Sequence, residues 1–379
     1  MEHEVSHVID NFLDSFITQH HPHPYVRNTL ERISQCRTAA LGGHVDQCDQ
    51  CGHEHISYNS CRNRHCPKCQ GRQREQWISS IKEMLLPVGH FHVVFTLPQS
   101  LNPLFMSHQA MMQDTLFEAA WKTLTQFACD PTYLGAKTGM VAVLHTWGQT
   151  LGLHPHLHCI VPEGGITIQG DWKQLPHATR DTPYLFPVKQ MGHVFRGIFL
   201  RLMSRKLKKI AIKPPTVKEN VFNVFAKRPF RSVNTVVEYL GRYTHKVAIS
   251  NNRIQHINED GVTFRYKDYR DNQKKQMRLA GEEFLRRFTL HIQPKGFHRI
   301  RRFGIYSPSN RSKLQQIKLK MGKKARPILE SIKEEDPRKE MREPTQCPCC
   351  KTGRLRLFRI IERPRAPPKT SVHSASIAV

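Results

Sequence analysis

The segment His154-Pro155-His156-Leu157-His158-Cys159-Ile160-Val161 carries imidazoles at alternate positions of an apolar stretch. Its composition predicts a strand, in which side chains two residues apart lie on the same face, about 7 Å apart. His156 and His158 would then form a pair of metal ligands, because neutral imidazole binds divalent transition ions. The alternative reading of this segment is a set of polar residues at a strand end that bind no ligand.

A second strand is predicted just upstream, over residues 140–148, and the turn Leu151-Gly152 makes the two strands a hairpin. His145 and Gln149 share one face of this upstream strand, since they differ by an even number of residues. If that face also carries the histidine pair, either residue could complete the metal site. A buried, hydrogen-bonded His145 with no ligand is the alternative.

Two cysteine pairs, Cys48-x2-Cys51 and Cys66-x2-Cys69, lie close together in the N-terminal part of the chain. Thiolates three residues apart in a tight turn can bind one tetrahedral zinc ion, and two such pairs complete the site. The spacing therefore predicts one closed, structural zinc site. The same block holds further candidates for a second zinc site, which could equally be packing thiols and surface histidines: Cys36, His44, Cys61 and His65.

The motif Cys347-Pro348-Cys349-Cys350 stands alone near the end of the sequence. One pair of cysteines cannot fill four zinc positions, so Cys347 and Cys350 need partners from elsewhere in the chain. The Pro-, Arg- and Ser-rich residues that follow predict a disordered tail.

The chain has 379 residues, and 58 lysines and arginines against 31 acidic residues give a net charge of +27. This excess predicts a polyanionic partner, nucleic acid before an anionic membrane surface. No apolar run of about 18 residues is present, so no membrane span is predicted. The acidic, amphipathic N-terminus does not resemble a signal peptide, and we expect a cytoplasmic protein. In that compartment the eleven cysteines indicate metal binding rather than disulfides.

Basic residues are concentrated beside the second cysteine pair and in residues 295–326, where aromatic residues are interspersed among them. Such a mixture is typical of a single-stranded nucleic-acid groove, where bases stack on aromatic rings. A solvated basic surface is the alternative. The residues that we expect to contact DNA are Arg62, Arg64, Lys68, Arg242, Arg299, Arg301 and Arg302.

A helix predicted over residues 231–246 places Tyr239 and Tyr243 on one face, because they are four residues apart. Lys246 lies on the same side, three residues beyond Tyr243. Taken alone, two tyrosines on an apolar stripe are typical core residues. Further helices are predicted over residues 103–128, 188–210 and 280–289, together with an N-terminal helical pair over residues 2–34.

Three motifs of this sequence occur together in the HUH endonucleases. They are Phe95-Thr96-Leu97, at the end of a strand predicted over residues 90–98, His156-Leu157-His158, and Tyr243-Thr244-His245-Lys246. With Tyr239 and the preceding cysteine block, the chain resembles the two-tyrosine rolling-circle transposases of bacterial insertion sequences. The resemblance runs from about residue 30 to about residue 310.

The resemblance implies an α+β protein with the HUH-endonuclease fold, an RRM-like central antiparallel sheet flanked by helices, preceded by a small zinc-binding domain. The expected divisions are residues 1–75 for the N-terminal helices and zinc domain, 88–310 for the catalytic domain, and 311–379 for a basic C-terminal region. It also implies metal-dependent nicking and joining of single-stranded DNA, with Tyr239 and Tyr243 as nucleophiles and Lys246 beside them. Mg²⁺ or Mn²⁺ would be the catalytic ion, and Zn²⁺ the structural one.

Two other functions are compatible with the same residues. A plasmid replication initiator or relaxase would use the same chemistry on other DNA. A zinc-ribbon DNA-binding regulator would have no catalytic activity, and its histidine pair would be dispensable.

Overall fold

The structure, a computed structural model, describes residues 3–176, 184–227, 229–230, 233, 235, 241, 247–321 and 345–364. Within these residues the helices are α1 (Val5–His20), α2 (Pro24–Ser34), α3 (Gln70–Met84), α4 (Asn102–Ser107), α5 (Gln109–Cys129), α6 (Val188–Lys209), α7 (Gly281–Thr289) and α8 (Arg311–Lys320). The strands are β1 (Gly43–Cys48), β2 (Glu54–Tyr58), β3 (His90–Thr96), β4 (Gly139–Trp147), β5 (Leu153–Pro162), β6 (Gly164–Ile166), β7 (Trp172–Gln174), β8 (Val224–Ala226), β9 (Ile254–Asn258), β10 (Gly261–Lys267), β11 (Lys274–Leu279), β12 (Ile300–Gly304) and β13 (Leu355–Ile361).

The central sheet has five strands in the order β12-β4-β5-β3-β8, and each neighbouring pair is antiparallel. The predicted hairpin of β4 and β5 is present, with Leu151 in the left-handed region at its turn (φ 62°). The predicted α+β class, a central antiparallel sheet flanked by helices, is confirmed. The division at residues 75, 88 and 310 remains a prediction.

The two faces of the central sheet pack against different elements. One face, with Phe95 and Leu157, is buried in the same apolar cluster as α5 and α6. The opposite face carries Val141 and Ile160, which pack with residues of α3 and α8. Because side chains alternate along a strand, the predicted histidines lie on this second face.

The N-terminal helical pair is present as predicted, and it packs against a hairpin far along the chain. Residues of α1 and α2 share an apolar cluster with β9, β10 and α7. The approach of α1 to α7 is close, since a Cβ atom on Gly281 would lie 2.1 Å from the ring of Phe12.

A separate sheet of three strands, in the order β13-β1-β2, joins the two ends of the described chain. β1 pairs antiparallel with β2 and with β13, so residues 355–361 add a strand to the cysteine-rich block. None of these three strands was identified from the sequence. Among the described residues, no helix combines the length and apolar character needed to cross a membrane.

Two predicted elements differ from the structure. The helix predicted over residues 103–128 is divided at His108 (φ −130°), where the Ser107 hydroxyl donates to the carbonyl oxygens of Pro103 and Leu104. The composition of residues 247–257 also predicts a strand, but the strand begins only at Ile254, because Asn251 accepts a hydrogen bond from the first backbone N–H of α1 and lies in a short 3-10 turn. Most of the predicted tyrosine helix, 231–246, lies outside the described residues.

Candidate metal centre and cysteine clusters

Three histidines meet on one face of the central sheet. His145 on β4 lies directly opposite His156 on β5, and His158 follows two residues later on the same face. One side-chain nitrogen from each ring lies within 4.8 Å of the others. The geometry brings together the pair predicted from the histidine strand and the third residue predicted from the hairpin.

The tautomer of His156 is fixed by a backbone contact. Its Nδ1–H donates to the carbonyl oxygen of His154 at 2.6 Å, which leaves the lone pair of the neutral ring on Nε2. This Nε2 lies 3.1 Å from Nε2 of His158. Burial lowers the pKa of His156 to about 4. At neutral pH the ring is therefore in the uncharged form that a metal ligand requires.

A fourth histidine, His92 on β3, contacts the outer side of His158. Its Nε2 lies 2.9 Å from Nδ1 of His158, and the two rings stack with an interplanar angle of 9°. When Nδ1–H of His158 donates to His92, the remaining lone pair of His158 faces that of His156. Two lone pairs at this distance repel each other, and a cation between them removes the repulsion. His92 was not among the metal-site residues predicted from the sequence.

The His145 ring is positioned by aromatic contacts in addition to its place on β4. Its ring is stacked on Trp147 at 4.7 Å between centroids and lies 4.5 Å from the ring of His158. The other candidate for the third ligand, Gln149, uses its side chain elsewhere, because it donates to the Tyr269 hydroxyl and accepts from the backbone N–H of Lys267. His145 is therefore the residue whose position fits a third ligand.

The donor set fits a divalent cation. Three imidazole nitrogens are fewer ligands than a divalent cation takes, so an ion held here would still accept oxygen ligands such as water or phosphate. Imidazole nitrogen favours Mn²⁺ or another transition ion over Mg²⁺ on bonding grounds.

The cysteines form two separate four-thiol clusters. The first contains Cys36, Cys61, Cys66 and Cys69. Within it, Sγ of Cys69 lies 3.5 Å from Sγ of Cys36 and 3.6 Å from Sγ of Cys61. Four converging thiols with this spacing fit a closed, structural zinc site.

The predicted grouping of Cys48, Cys51, Cys66 and Cys69 around one ion is wrong. Cys48 and Cys51 instead meet Cys347 and Cys350. The local spacing was compatible with either arrangement, because a Cys-x2-Cys turn supplies two ligands in the same geometry whatever its partner pair is.

The predicted second set, Cys36, His44, Cys61 and His65, is correct only for its cysteines. His44 Nε2 lies 3.3 Å from an Asp46 carboxylate oxygen. His65 is buried and accepts from Nε of Arg64 at 3.4 Å, and desolvation lowers its pKa to about 3. Neither imidazole belongs to a cysteine cluster among the described residues.

The predicted DNA-contacting residues occupy different environments. Arg62 and Arg302 are exposed. Lys68 pairs with Glu4, and half-buried Arg299 has its pKa lowered to about 10 by desolvation. DNA contact by each of these residues remains a prediction, and Arg242 lies outside the described residues.

Arg64 and Arg301 make internal contacts in the structure. The Arg64 guanidinium donates to the carbonyl oxygens of Phe297 at 2.7 Å and Pro294 at 2.8 Å. Arg301 pairs with Asp114 and lies over the ring of Phe117, 4.5 Å from its centroid.

The predicted nucleophiles Tyr239 and Tyr243, and Lys246 beside them, lie outside the described residues. The segment leading to them is partly described. Phe230 exchanges backbone hydrogen bonds with His90 of β3, and Phe230 and Val233 pack against the apolar cluster that contains Val141 and Ile160.

Comparison with known proteins gives two family matches. Residues 139–313 match a family described as "Putative transposase", and residues 8–97 match the "Transposase zinc-binding domain" of the IS91 type. The first match covers the histidine hairpin, and the second covers the first cysteine cluster, which supports a structural zinc ion there. No solved structure matches the chain.

Two curated proteins are similar over most of the chain. "Putative transposase y4qJ" of Sinorhizobium fredii (strain NBRC 101917 / NGR234) is 40% identical over 368 residues, covering 90% of this chain and 91% of that protein. "Transposase for insertion sequence element IS801" of Pseudomonas savastanoi pv. phaseolicola is 30% identical over 297 residues, covering 73% and 69%. The chain therefore belongs to the IS91/IS801 family of transposases and carries that family's zinc-binding domain.

Proposed function

We propose that this transposase nicks single-stranded DNA at the ends of an insertion sequence and joins the strands through 5′-phosphotyrosine intermediates. The observation that carries the proposal is the convergence of His145, His156 and His158 within 4.8 Å on one sheet face. A divalent ion held there, Mg²⁺ or Mn²⁺, would supply Lewis-acid polarisation of the scissile phosphate.

The other steps of strand cleavage are assigned to side chains of the protein. The hydroxyl of Tyr239 or Tyr243 attacks phosphorus, a bond from the phenolic oxygen to phosphorus forms, and the bond from phosphorus to the 3′ oxygen breaks. The 3′ oxygen takes up a proton and leaves as a hydroxyl group. Lys246 offsets the negative charge of the phosphate.

Joining reverses this reaction at the second strand. An incoming 3′ hydroxyl attacks the phosphotyrosine and releases the phenol. Because a phenol has a pKa near 10, phenoxide is a far better leaving group than a sugar alkoxide, so the covalent link retains the energy of the original bond. Two tyrosines allow two strands to be held in turn, as strand transfer requires, and no ATP is consumed.

The path of the chain supports a tyrosine helix near the histidines. Val141 and Ile160 are on the same sheet face as His145 and His158, because both pairs are separated by an even number of residues along their strands. Phe230 and Val233, just before the tyrosines, pack against the cluster that contains these two apolar residues. This packing supports our proposal that the tyrosine helix lies over the histidine face.

The test uses the full-length protein, single-stranded oligonucleotides that carry the element ends, and Mn²⁺. We expect a covalent protein–DNA adduct that survives denaturing electrophoresis and requires the metal. Tyr239→Phe combined with Tyr243→Phe should abolish it, as should His156→Ala combined with His158→Ala. Tyr58→Phe, which changes an exposed tyrosine of β2, is the matched control and should leave the yield unchanged. An adduct of wild-type yield in the double tyrosine variant would contradict the assignment.

The two alternatives predict different results. A regulator without catalysis gives no adduct, and its DNA binding survives loss of both His156 and His158. A plasmid initiator or relaxase gives the adduct, but it supports replication from a plasmid origin rather than excision of a marked element. The names of the two similar proteins favour transposition.

A further inference from the structure

The two cysteine turns, at Cys48–Cys51 and Cys347–Cys350, share most of their backbone hydrogen bonds. Cys48 N–H donates to the His53 carbonyl at 2.9 Å, and Cys347 N–H donates to the Gly353 carbonyl at 2.8 Å. In each turn the residue after the second cysteine donates back to the first cysteine's carbonyl, Gly52 at 3.2 Å and Lys351 at 3.0 Å. Both of these residues have left-handed φ values, 71° and 60°. The two turns therefore resemble each other in the way that paired metal-binding loops do, with one more residue before the closing hydrogen bond in the second.

The thiols of these two loops have the separations of zinc ligands rather than of a disulfide. Sγ of Cys48 lies 3.7 Å from Sγ of Cys350, and Sγ of Cys51 lies 3.7 Å from Sγ of Cys347. A disulfide would bring two sulfur atoms to about 2.05 Å. Ligands at about 2.3 Å from a tetrahedral zinc ion are about 3.8 Å apart.

Backbone N–H groups point at the sulfur atoms, which stabilises thiolates. Gln50 and Cys51 donate to Sγ of Cys48 at 3.4 and 3.5 Å, and Gly353 donates to Sγ of Cys350 at 3.3 Å. Gly353 lies so close that a Cβ atom there would be 2.4 Å from Sγ of Cys48. The C-terminal loop thus lies directly against a thiol of the N-terminal loop.

Further contacts hold the two loops together. The Asp49 carboxylate accepts from the Arg354 backbone N–H at 2.9 Å and from Arg356 Nε at 3.2 Å. The ladder of β1 and β13 continues from these contacts along the sheet.

We propose that Cys48, Cys51, Cys347 and Cys350 bind a second structural zinc ion, which fastens the C-terminal segment to the N-terminal zinc-binding domain. The family match over residues 8–97 contains only half of this site. The other half comes from residues 345–364, so the complete zinc-binding unit is assembled from both ends of the described chain.

Zinc content of the full-length protein tests the proposal, and the result does not depend on nicking activity. Native mass spectrometry should find one zinc ion fewer per chain after Cys347→Ser with Cys350→Ser than in the wild type, whether or not the histidine centre also holds zinc. Cys349→Ser is the matched control, because Cys349 is exposed, lies in the same motif and belongs to neither cluster; this variant should keep the wild-type zinc content. A Cys347/Cys350 variant with as much zinc as the wild type would overturn the proposal.

A second measurement uses only the wild-type protein, so the proposal can be tested even if the cysteine variant does not fold. Cys51 and Cys349 are both exposed. Under native conditions a small alkylating reagent should modify Cys349 rapidly and Cys51 slowly, because zinc protects its ligands. Removal of zinc with a strong chelator should make Cys51 reactive. Equal alkylation of the two thiols before chelation would refute the second site.

Discussion

Replacing His92 with phenylalanine tests whether this residue positions the candidate metal centre. His92 is buried, and its Nε2 lies 2.9 Å from Nδ1 of His158. Phenylalanine keeps an aromatic ring in this place but removes the nitrogen that contacts Nδ1 of His158. Nδ1 of His158 then loses this partner, and its proton can move to Nε2, the atom that faces His156.

The size of the effect follows from this one bond. A neutral hydrogen bond contributes about 0.5–1.5 kcal/mol, which is up to about a tenfold change in an equilibrium constant. Removal of the group that orients a metal-bound histidine typically costs about 10–100-fold in metal affinity. We therefore expect His92→Phe to weaken Mn²⁺ binding about tenfold or more, without abolishing it.

Isothermal titration of the full-length protein with Mn²⁺ measures this affinity without reference to catalysis. His90→Phe is the matched control, because His90 is buried two residues away on β3 and its Nε2 contacts the Tyr306 hydroxyl at 2.8 Å rather than the three histidines. His92→Gln, which retains an acceptor, should recover part of the loss. If folded His92→Phe binds Mn²⁺ like the wild type, or His90→Phe loses as much affinity, the positioning role is refuted.

Three further predictions concern stability and DNA binding. Arg64→Ala should lower the free energy of unfolding in urea by about 2–3 kcal/mol, because the Arg64 guanidinium donates to carbonyls of the segment before β12. Arg62 is exposed, so Arg62→Ala should leave stability unchanged and reduce the salt dependence of DNA binding by about one counterion. Equal stability of the two variants would contradict this prediction. Gly281→Ala should destabilise the protein by about 1–3 kcal/mol, since its Cβ would lie 2.1 Å from the Phe12 ring, and a variant as stable as the wild type would show that this contact relaxes freely. Burial lowers the pKa of His90 to about 4 from 6.5. As the pH falls from about 6.5 towards 4, the unfolded chain therefore binds this proton before the folded chain does, and the free energy of unfolding decreases. His90→Phe should remove roughly 3 kcal/mol of that pH dependence, and an unchanged dependence of the free energy of unfolding on pH would contradict the prediction.

The part of the histidine site that depends on contacts within one hairpin could be predicted from the sequence. His145, His156 and His158 belong to one hairpin, so alternation along two strands and a short turn were enough to place them on one face. His92 was not predictable in this way, because its contact with His158 depends on the pairing of β3 with β5, which are separated by α4, α5 and β4. No spacing rule in the sequence defines that register.

The predicted grouping of the cysteines was wrong because the correct grouping depends on contacts between distant parts of the sequence. Cys51 and Cys347 are 296 residues apart, and their sulfur atoms meet only because β13 pairs with β1. The sequence indicated that Cys347 and Cys350 lacked partners, but it offered two candidate pairs in the N-terminal block and no means of choosing between them.

Basic side chains were the least predictable group. Composition identifies an excess of positive charge, yet Arg64 and Arg301 use their guanidinium groups for backbone carbonyls, a carboxylate and an aromatic ring within the protein. Only the tertiary contacts distinguish such residues from exposed Arg62, because the local sequence around each is equally basic.

The central claim, a tyrosine nucleophile working beside a three-histidine metal centre, is tested most directly by mapping the covalent adduct. The full-length protein is incubated with single-stranded element ends and Mn²⁺, digested with nuclease and protease, and analysed by mass spectrometry. We predict a nucleotide-bearing 5′-phosphate on Tyr239 or Tyr243, formed only with the divalent metal and lost in His156→Ala combined with His158→Ala. An adduct on another residue, or one formed equally well without metal or without these histidines, would contradict the account.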